Sequence, residues 1–257
     1  MRNVTTVVRR AVRRCGFDIV RYVKPPLRLL PTLPDLTNDE ARIVAQVAPF
    51  TLTSPERIAA VIYAVKYILR YRIEGEIVEC GVWRGGSMMA IALALIASGD
   101  TSRELFLYDT FEGFNAPTDH DVNINEWSAR SMKGALVGPG TYYAVSLEEV
   151  RESIYSTGYP RERLHFIKGK VEDTIPGSGP SRIALLRLDT DWYESTKHEL
   201  RHLYPAVDRH GVVIIDDYGE WKGARRAVDE YLATLSERVF LHRIDYTGRI
   251  IVRCADG

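Results

Sequence analysis

The chain of 257 residues is short of several things, and each shortage narrows what it can do. It carries no net charge, with Lys plus Arg and Asp plus Glu at 34 each. A balanced chain has no global field to draw it to nucleic acid or to an anionic surface, so nucleic acid is excluded as an expected partner. Cysteine is scarce. Cys15, Cys80 and Cys254 lie far apart without metal-ligand spacing, and a sparse, odd count suits buried thiols in a reducing compartment. No apolar run approaches the roughly 20 residues that cross a bilayer, and residues 4–8 are too short and interrupted for a signal-peptide core. The expectation is a cytoplasmic protein. G-x-G-x-x-G is missing, as is a P-loop lysine, so neither familiar phosphate cradle is written in the sequence. Internal repeats and low-complexity segments are absent too.

What is present is a set of acids at the ends of apolar runs. Ile77-Val78-Glu79-Cys80-Gly81 opens into Val82-Trp83-Arg84-Gly85-Gly86-Ser87. Ile183-Ala184-Leu185-Leu186-Arg187-Leu188 ends in Asp189-Thr190-Asp191. Val212-Val213-Ile214-Ile215 ends in Asp216-Asp217. Strands are expected at 76–80, 104–109, 164–168, 183–189 and 211–216, with helices at 54–69, 87–97, 146–156, 194–203 and 222–236. Such alternation predicts an α/β fold with a doubly wound, Rossmann-like parallel sheet. The tail departs from it. Residues 239–245 and 249–254 flank Tyr246-Thr247-Gly248 and read as an antiparallel hairpin.

Two segments stand outside that pattern. Residues 2–28 hold eight basic side chains against Asp18, with Val4, Val8, Val12, Cys15 and Ile19 at helical spacing. A basic amphipathic helix suits weak contact with a membrane surface, and equally an arm packed on its own domain or on a second subunit. Pro25, Pro26, Pro31 and Pro34 mark a linker after it. Residues 1–49 are therefore read as arm and linker, and 50–257 as the main domain. Residues 115–145 exceed what a crossover needs, and a loop of that length reads as a substrate lid.

In an open parallel sheet, ligands bind beyond the carboxyl ends of the strands. Glycines 81, 85 and 86 let the backbone turn sharply and approach a ligand. Asp109, ending Leu105-Phe106-Leu107-Tyr108, stands where a second strand presents an acid to ribose hydroxyls. Asp189 and Asp191 are two apart and point the same way on an extended chain. Two carboxylates about 4 Å apart repel by roughly 4 kcal/mol at an effective dielectric near 20, so several converge comfortably only around a cation. An all-oxygen donor set without His or Cys suits Mg²⁺. The plainer alternatives are that Asp191 caps the helix starting at Trp192, with Glu194 completing a capping box, and that Asp109 and Asp217 are turn residues.

These residues resemble the motifs of the macrocin-type O-methyltransferases, a class I methyltransferase family. Residues 78–87 resemble the first cofactor motif and residues 108–114 the second. Residues 188–196 and 214–219 resemble the metal motifs, and the likeness spans about residues 50–254. It implies S-adenosylmethionine as cofactor, Mg²⁺, a small-molecule or saccharide acceptor hydroxyl, and a homo-oligomer. Carried over by position, the resemblance gives Glu79, Gly81, Val82, Trp83, Arg84, Gly85 and Ser87 to the methionine end of the cofactor site. It gives Asp109 to the ribose, beside Thr110, Phe111, Glu112 and Gly113, and places Lys170, Val171 and Glu172 near the adenine. Thr51 and Leu52 match a Thr-Met pair that touches the cofactor, with Leu52 a departure. Asp189, Asp216 and Asp217 would bind the metal and Asp191 would be the general base. His198 lies further along the helix and is expected to face away. Two other classes stay open at this level: a nicotinamide-dependent oxidoreductase and a non-catalytic, membrane-associated scaffold. A nucleic-acid methyltransferase is disfavoured by the balanced charge and by the lack of an Asn/Asp-Pro-Pro-Tyr motif.

Overall fold

The computed structural model describes residues 33–132, 134, 137, 140–236 and 238–254. The basic helix read over residues 4–19, and with it the membrane-surface contact, lies outside the described residues. No described helix is long and apolar enough to cross a membrane.

The first helix, α1 (Asn38–Val47), begins at a capping box in which Thr37 and Glu40 each bond the other's backbone N–H. The sequence reading drew a linker through this stretch. The compact unit that holds the sheet begins instead at Asp35, because a Thr-x-x-Glu pair followed by Ile43, Val44 and Val47 makes a buried amphipathic helix. Helix α2 (Pro55–Arg70) starts as its sequence dictates, with the Ser54 hydroxyl accepting from Arg57 N and Pro55 in the first turn. Then follow β1 (Glu76–Cys80), α3 (Gly86–Ala97), β2 (Leu105–Asp109), α4 (Leu147–Tyr155), β3 (Leu164–Lys168) and the short α5 (Val171–Thr174). The second half runs β4 (Ile183–Leu188), α6 (Tyr193–Leu203), β5 (Val207–Ile215), α7 (Lys222–Leu232), β6 (His242–Arg243) and β7 (Arg249–Val252).

The seven strands lie in the order β3-β2-β1-β4-β5-β7-β6. The first five are mutually parallel. β7 runs antiparallel to β5, and β6 antiparallel to β7, so the terminal hairpin read from the sequence is present. Strand residues Val78, Cys80, Tyr108, Leu186, Leu188, Val213 and Ile215 pack against Leu200, Leu203 and Val228 from the helices on one face. Helix α3 is apolar all round and nearly all buried, as a helix without a polar face must be.

Register positions the chemistry. Glu79 pairs with Leu107 on one side and Arg187 on the other. Arg187 pairs in turn with Ile214, and Leu188 with Ile215. Two charged residues thus stand side by side inside the sheet, and the acids that follow β4 and β5 emerge at one height.

Candidate active site

The turn after β1 is built from left-handed backbone. Gly81 has φ +82° and Gly85 +89°, and Trp83 between them has +47°. A Cβ on Gly81 would lie 2.0 Å from the carbonyl oxygen of Asp189, so only glycine lets the ends of β1 and β4 meet. A Cβ on Gly86 would strike Phe50 O and Thr51 Cβ at 2.6 Å, and this close approach brings Thr51 and Leu52 to the mouth of the cavity. The loop is pinned by Asp109. Its Oδ2 accepts from Val82 N at 2.7 Å and Trp83 N at 3.0 Å, and its Oδ1 from Phe111 N at 2.7 Å. Burial raises the Asp109 pKa, and the three backbone donors oppose that rise. The Thr110 hydroxyl lies 3.4 Å from the same Oδ1, so a ligand hydroxyl would have to share an oxygen that already accepts from the chain.

The acid end is organised by Arg187, which is 1% exposed. Its Nη1 donates to Glu79 Oε1 at 2.6 Å and Asp189 Oδ2 at 2.7 Å. Its Nη2 donates to Thr53 Oγ1 at 3.0 Å and Asp216 Oδ1 at 2.5 Å. Burial works against the guanidinium charge, and the carboxylates of Asp189 and Glu79 outweigh it and hold the pKa above its ordinary value. Glu79 is pushed up to about 7, chiefly by burial, with Arg187 pulling the other way. Its second oxygen, Oε2, is buried without a partner among the described residues, as is the indole nitrogen of Trp83.

Three aspartates converge. Asp189, Asp191 and Asp217 each offer an oxygen, and these atoms lie within 4.8 Å of one another. Asp216, which the sequence reading grouped with Asp189 and Asp217 on the ion, lines the cavity but stands outside this group of three. It pairs with Arg187 and, through its other oxygen, with Arg57, which Asp245 shares. The reason is register. Asp216 follows β5 directly, level with the Arg187 side chain and under helix α2, where two cations are waiting. Asp191 takes its place in the cluster. Burial and the charge of Asp189 raise the pKa of Asp191, and burial with Asp191 and Asp189 does the same to Asp217. Nor does Asp191 cap a helix. The first residue before α6 is Trp192, without a side-chain cap of its own, and the free Tyr193 N donates to Asp121 of the loop at 2.8 Å.

A cavity of about 400 Å³ joins the two ends. Thr51, Leu52, Gly81, Val82, Trp83, Ser87, Asp109, Thr110, Gly113, Val171, Asp189, Asp191, Asp216 and Asp217 line it. Other expected residues stand behind or outside the wall. Glu79 supports it through Arg187, and Gly85 is the N-cap residue of α3. The Arg84 guanidinium lies over the Trp83 ring at 5.1 Å. Phe111 is buried, Glu112 pairs with Lys168 on the surface, Lys170 precedes α5, and Glu172 keeps a buried, unpartnered oxygen. His198 bonds the carbonyl of Ile175, away from the cavity.

Sequence reasoning gave no role to Arg187 or Arg57, although a lone arginine inside an apolar strand was the available signal. It also missed the aromatic wall. Trp192 and Trp221 meet edge-on with centroids 4.9 Å apart, Phe114 lies 5.0 Å from Trp192, and Tyr143 lies 4.9 Å from Phe114. All four rings line the cavity.

Comparison with known proteins decides the family. The profile of the Macrocin-O-methyltransferase (TylF) family matches residues 35–253. The chain belongs to this family. It is 35% identical over 199 residues to the 8-demethyl-8-(2,3-dimethoxy-alpha-L-rhamnosyl)-tetracenomycin-C 4'-O-methyltransferase of Streptomyces olivaceus, covering 77% of this chain and 73% of that protein. It is 34% identical over 198 residues to the demethyldecarbamoylnovobiocin O-methyltransferase of Streptomyces niveus, with the same coverage. The solved structure of the O-methyltransferase NovP superposes with a TM-score of 0.70 at 30% identity, covering 80% of this chain and 83% of that one. A macrocin-type O-methyltransferase is an enzyme that moves a methyl group to an oxygen, so the oxidoreductase and scaffold readings are set aside. Its methyl donor is that of its class, S-adenosylmethionine.

Proposed function

We propose that the protein methylates a hydroxyl of a neutral glycoside, with S-adenosylmethionine as donor and a divalent cation, Mg²⁺, held by Asp189 and Asp217. The convergence of Asp189, Asp191 and Asp217 at one end of the cavity that the glycine turn and Asp109 line carries this reading. The residues fit both groups. Glu79 Oε2 and Trp83 Nε1 are orphaned buried polar atoms beside the glycine turn, and an unpaired buried carboxylate oxygen suits the donor's ammonium. Among the described residues, Glu79, Asp189 and Asp216 pair with Arg187, and Asp216 also with Arg57, while Asp191 and Asp217 stand beside them without an ion pair of their own. Carboxylates crowded so far from water need further positive charge, and oxygen donors alone suit a hard dication.

Bound there, such a cation supplies Lewis acidity that lowers the pKa of an acceptor hydroxyl. The chain does the rest. Asp191 accepts the hydroxyl proton as the oxygen bonds to the donor's methyl carbon and the carbon–sulfur bond breaks, releasing S-adenosylhomocysteine. Arg187 fixes Asp189 and Glu79 relative to each other, so the acid end and the donor end hold one geometry. Positioning two reactants in this way contributes ~7–11 kcal/mol, more than the 10²–10⁴-fold typical of a general base.

The wall supports a neutral sugar. Phe114, Tyr143, Trp192 and Trp221 offer apolar faces, and Leu52 and Tyr246 line the cavity with more than half their surface exposed; among the described residues no lysine lines it, and the two arginines that do are already paired with carboxylates. The relative from Streptomyces olivaceus is named for a rhamnosyl acceptor, which makes 4-nitrophenyl α-L-rhamnoside a suitable test acceptor. Methyl transfer to it should stop in EDTA and return with Mg²⁺, while calorimetry shows donor binding largely kept. Full transfer with metal shown absent would make the aspartates structural. Donor binding with Mg²⁺ but no transfer to this or other neutral glycosides would overturn the acceptor class.

A further inference from the structure

Asp191 stands on left-handed backbone, at φ +67°. Among the described residues, the one hydrogen bond to its carboxylate comes from the next loop, where Trp221 Nε1 donates to Oδ1 at 2.8 Å. The indole is itself held on three sides. Its ring packs edge-on against Trp192, at 76°. Its backbone forms an antiparallel bridge with Asn123. On either side of it, Ile124 N donates to Glu220 O at 2.8 Å and Lys222 N to Val122 O at 2.9 Å. The long loop is fastened on the far side as well, by Trp192 Nε1 donating to Asn115 O at 3.1 Å and Tyr193 N to Asp121 Oδ1 at 2.8 Å.

We infer that Trp221 is a positioning residue for methyl transfer: its indole N–H holds one oxygen of Asp191, leaving the other for the acceptor proton, and its pairing with residues 122–124 keeps it there. This rests on the reading of Asp191 as the proton acceptor. The same ring is part of the aromatic wall, so the test must separate a donor from a surface. A neutral donor to a charged acceptor contributes ~1.5–3 kcal/mol, or roughly 10–150-fold if realised at the transition state.

Two replacements remove the N–H and keep a flat ring: Trp221→Phe, and Trp221 exchanged for benzothienylalanine, which puts sulfur in place of the N–H at nearly unchanged shape. With 4-nitrophenyl α-L-rhamnoside as acceptor, both should lower kcat by 10-fold or more. The benzothienylalanine protein should keep KM for donor and acceptor, Mg²⁺ affinity and melting temperature. Adding Trp221→Phe to Asp191→Asn should cost nothing beyond Asp191→Asn alone, since the pair acts as one unit. A normal kcat in the benzothienylalanine protein, or additive losses in the double variant, would overturn the inference and leave Trp221 as wall alone. Should Asp191→Asn itself keep full turnover, the proton-acceptor reading fails instead. A readout without turnover is the ¹H–¹⁵N signal of the Trp221 indole, identified by its loss in Trp221→Phe. It should move upfield and exchange faster with solvent in Asp191→Ala, and an unmoved signal would likewise overturn the inference.

Discussion

Glu79 shows how far a single side chain is governed by its neighbours. Its pKa is pushed up to about 7 from an ordinary 4.5, by burial against the pull of Arg187. A carboxyl raised in the folded state binds more protons there than in the unfolded chain. Its contribution to stability is therefore fully present below pH 4.5 and is lost as pH rises through 7. At 1.36 kcal/mol per unit the whole change is on the order of 3 kcal/mol. Urea unfolding of the protein without ligands should show Glu79→Gln gaining on the wild type by that amount between pH 4.5 and 8. A difference that stays constant with pH would mean that Glu79 ionises normally. Much of this residue-level picture was legible, because acids at strand ends and glycines in a turn keep their meaning wherever the chain goes. The division among the aspartates was not. Whether Asp216 or Asp191 joins Asp189 and Asp217 depends on where Arg57 and Arg187 reach, and Arg57 approaches from a helix 159 residues away in sequence.

At the scale of elements, the start of α6 teaches the most. The sequence offered Asp191 and Glu194 as a local cap, but the cap comes from Asp121, which is fully buried and also accepts from the Thr118 backbone and hydroxyl. Asp121→Ala should cost about 1–2 kcal/mol in denaturant unfolding, as for other lost caps, and should speed hydrogen exchange at residues 118–129 before exchange rises in the sheet. Unchanged exchange in that segment would show the loop held by other contacts. At α1 the pair is local: Thr37 and Glu40 close a capping box within one turn, just downstream of the prolines read as a linker. Strand β5 also begins four residues before the expected 211, since a polar stretch with His210 at φ +64° does not look like a strand from outside. Local pairs are readable; pairs closed by a distant segment are not.

Taken whole, the molecule keeps its charges balanced in number and unbalanced in place, with acids gathered at the carboxyl edge of the sheet. Any ion that binds only the folded chain raises its stability as RT ln(1 + [L]/Kd), about 2.7 kcal/mol at a hundredfold excess over Kd. Mg²⁺ should therefore raise the melting temperature in a concentration-dependent way, and Asp189→Asn should abolish that rise while melting cooperatively. A rise of equal size in the variant would place the ion elsewhere. The parallel sheet and its antiparallel end were legible from the alternation of runs. The acceptor wall was not, because it is assembled from Phe114, Tyr143, Trp192 and Trp221, four aromatic residues on three separate loops that share no pattern in sequence.

The backbone pairing between residues 122–124 and 220–222 bears on how such enzymes could be recombined. An engineer wishing to change the acceptor would graft the long loop from a relative. That loop would arrive without the segment it pairs with, because Asn123 and Glu220 lie 97 residues apart, and the residue holding Asp191 sits on the segment left behind. The portable cassette is a discontinuous pair of segments, and chimeras that move them together should keep their reaction chemistry where single-loop chimeras lose it.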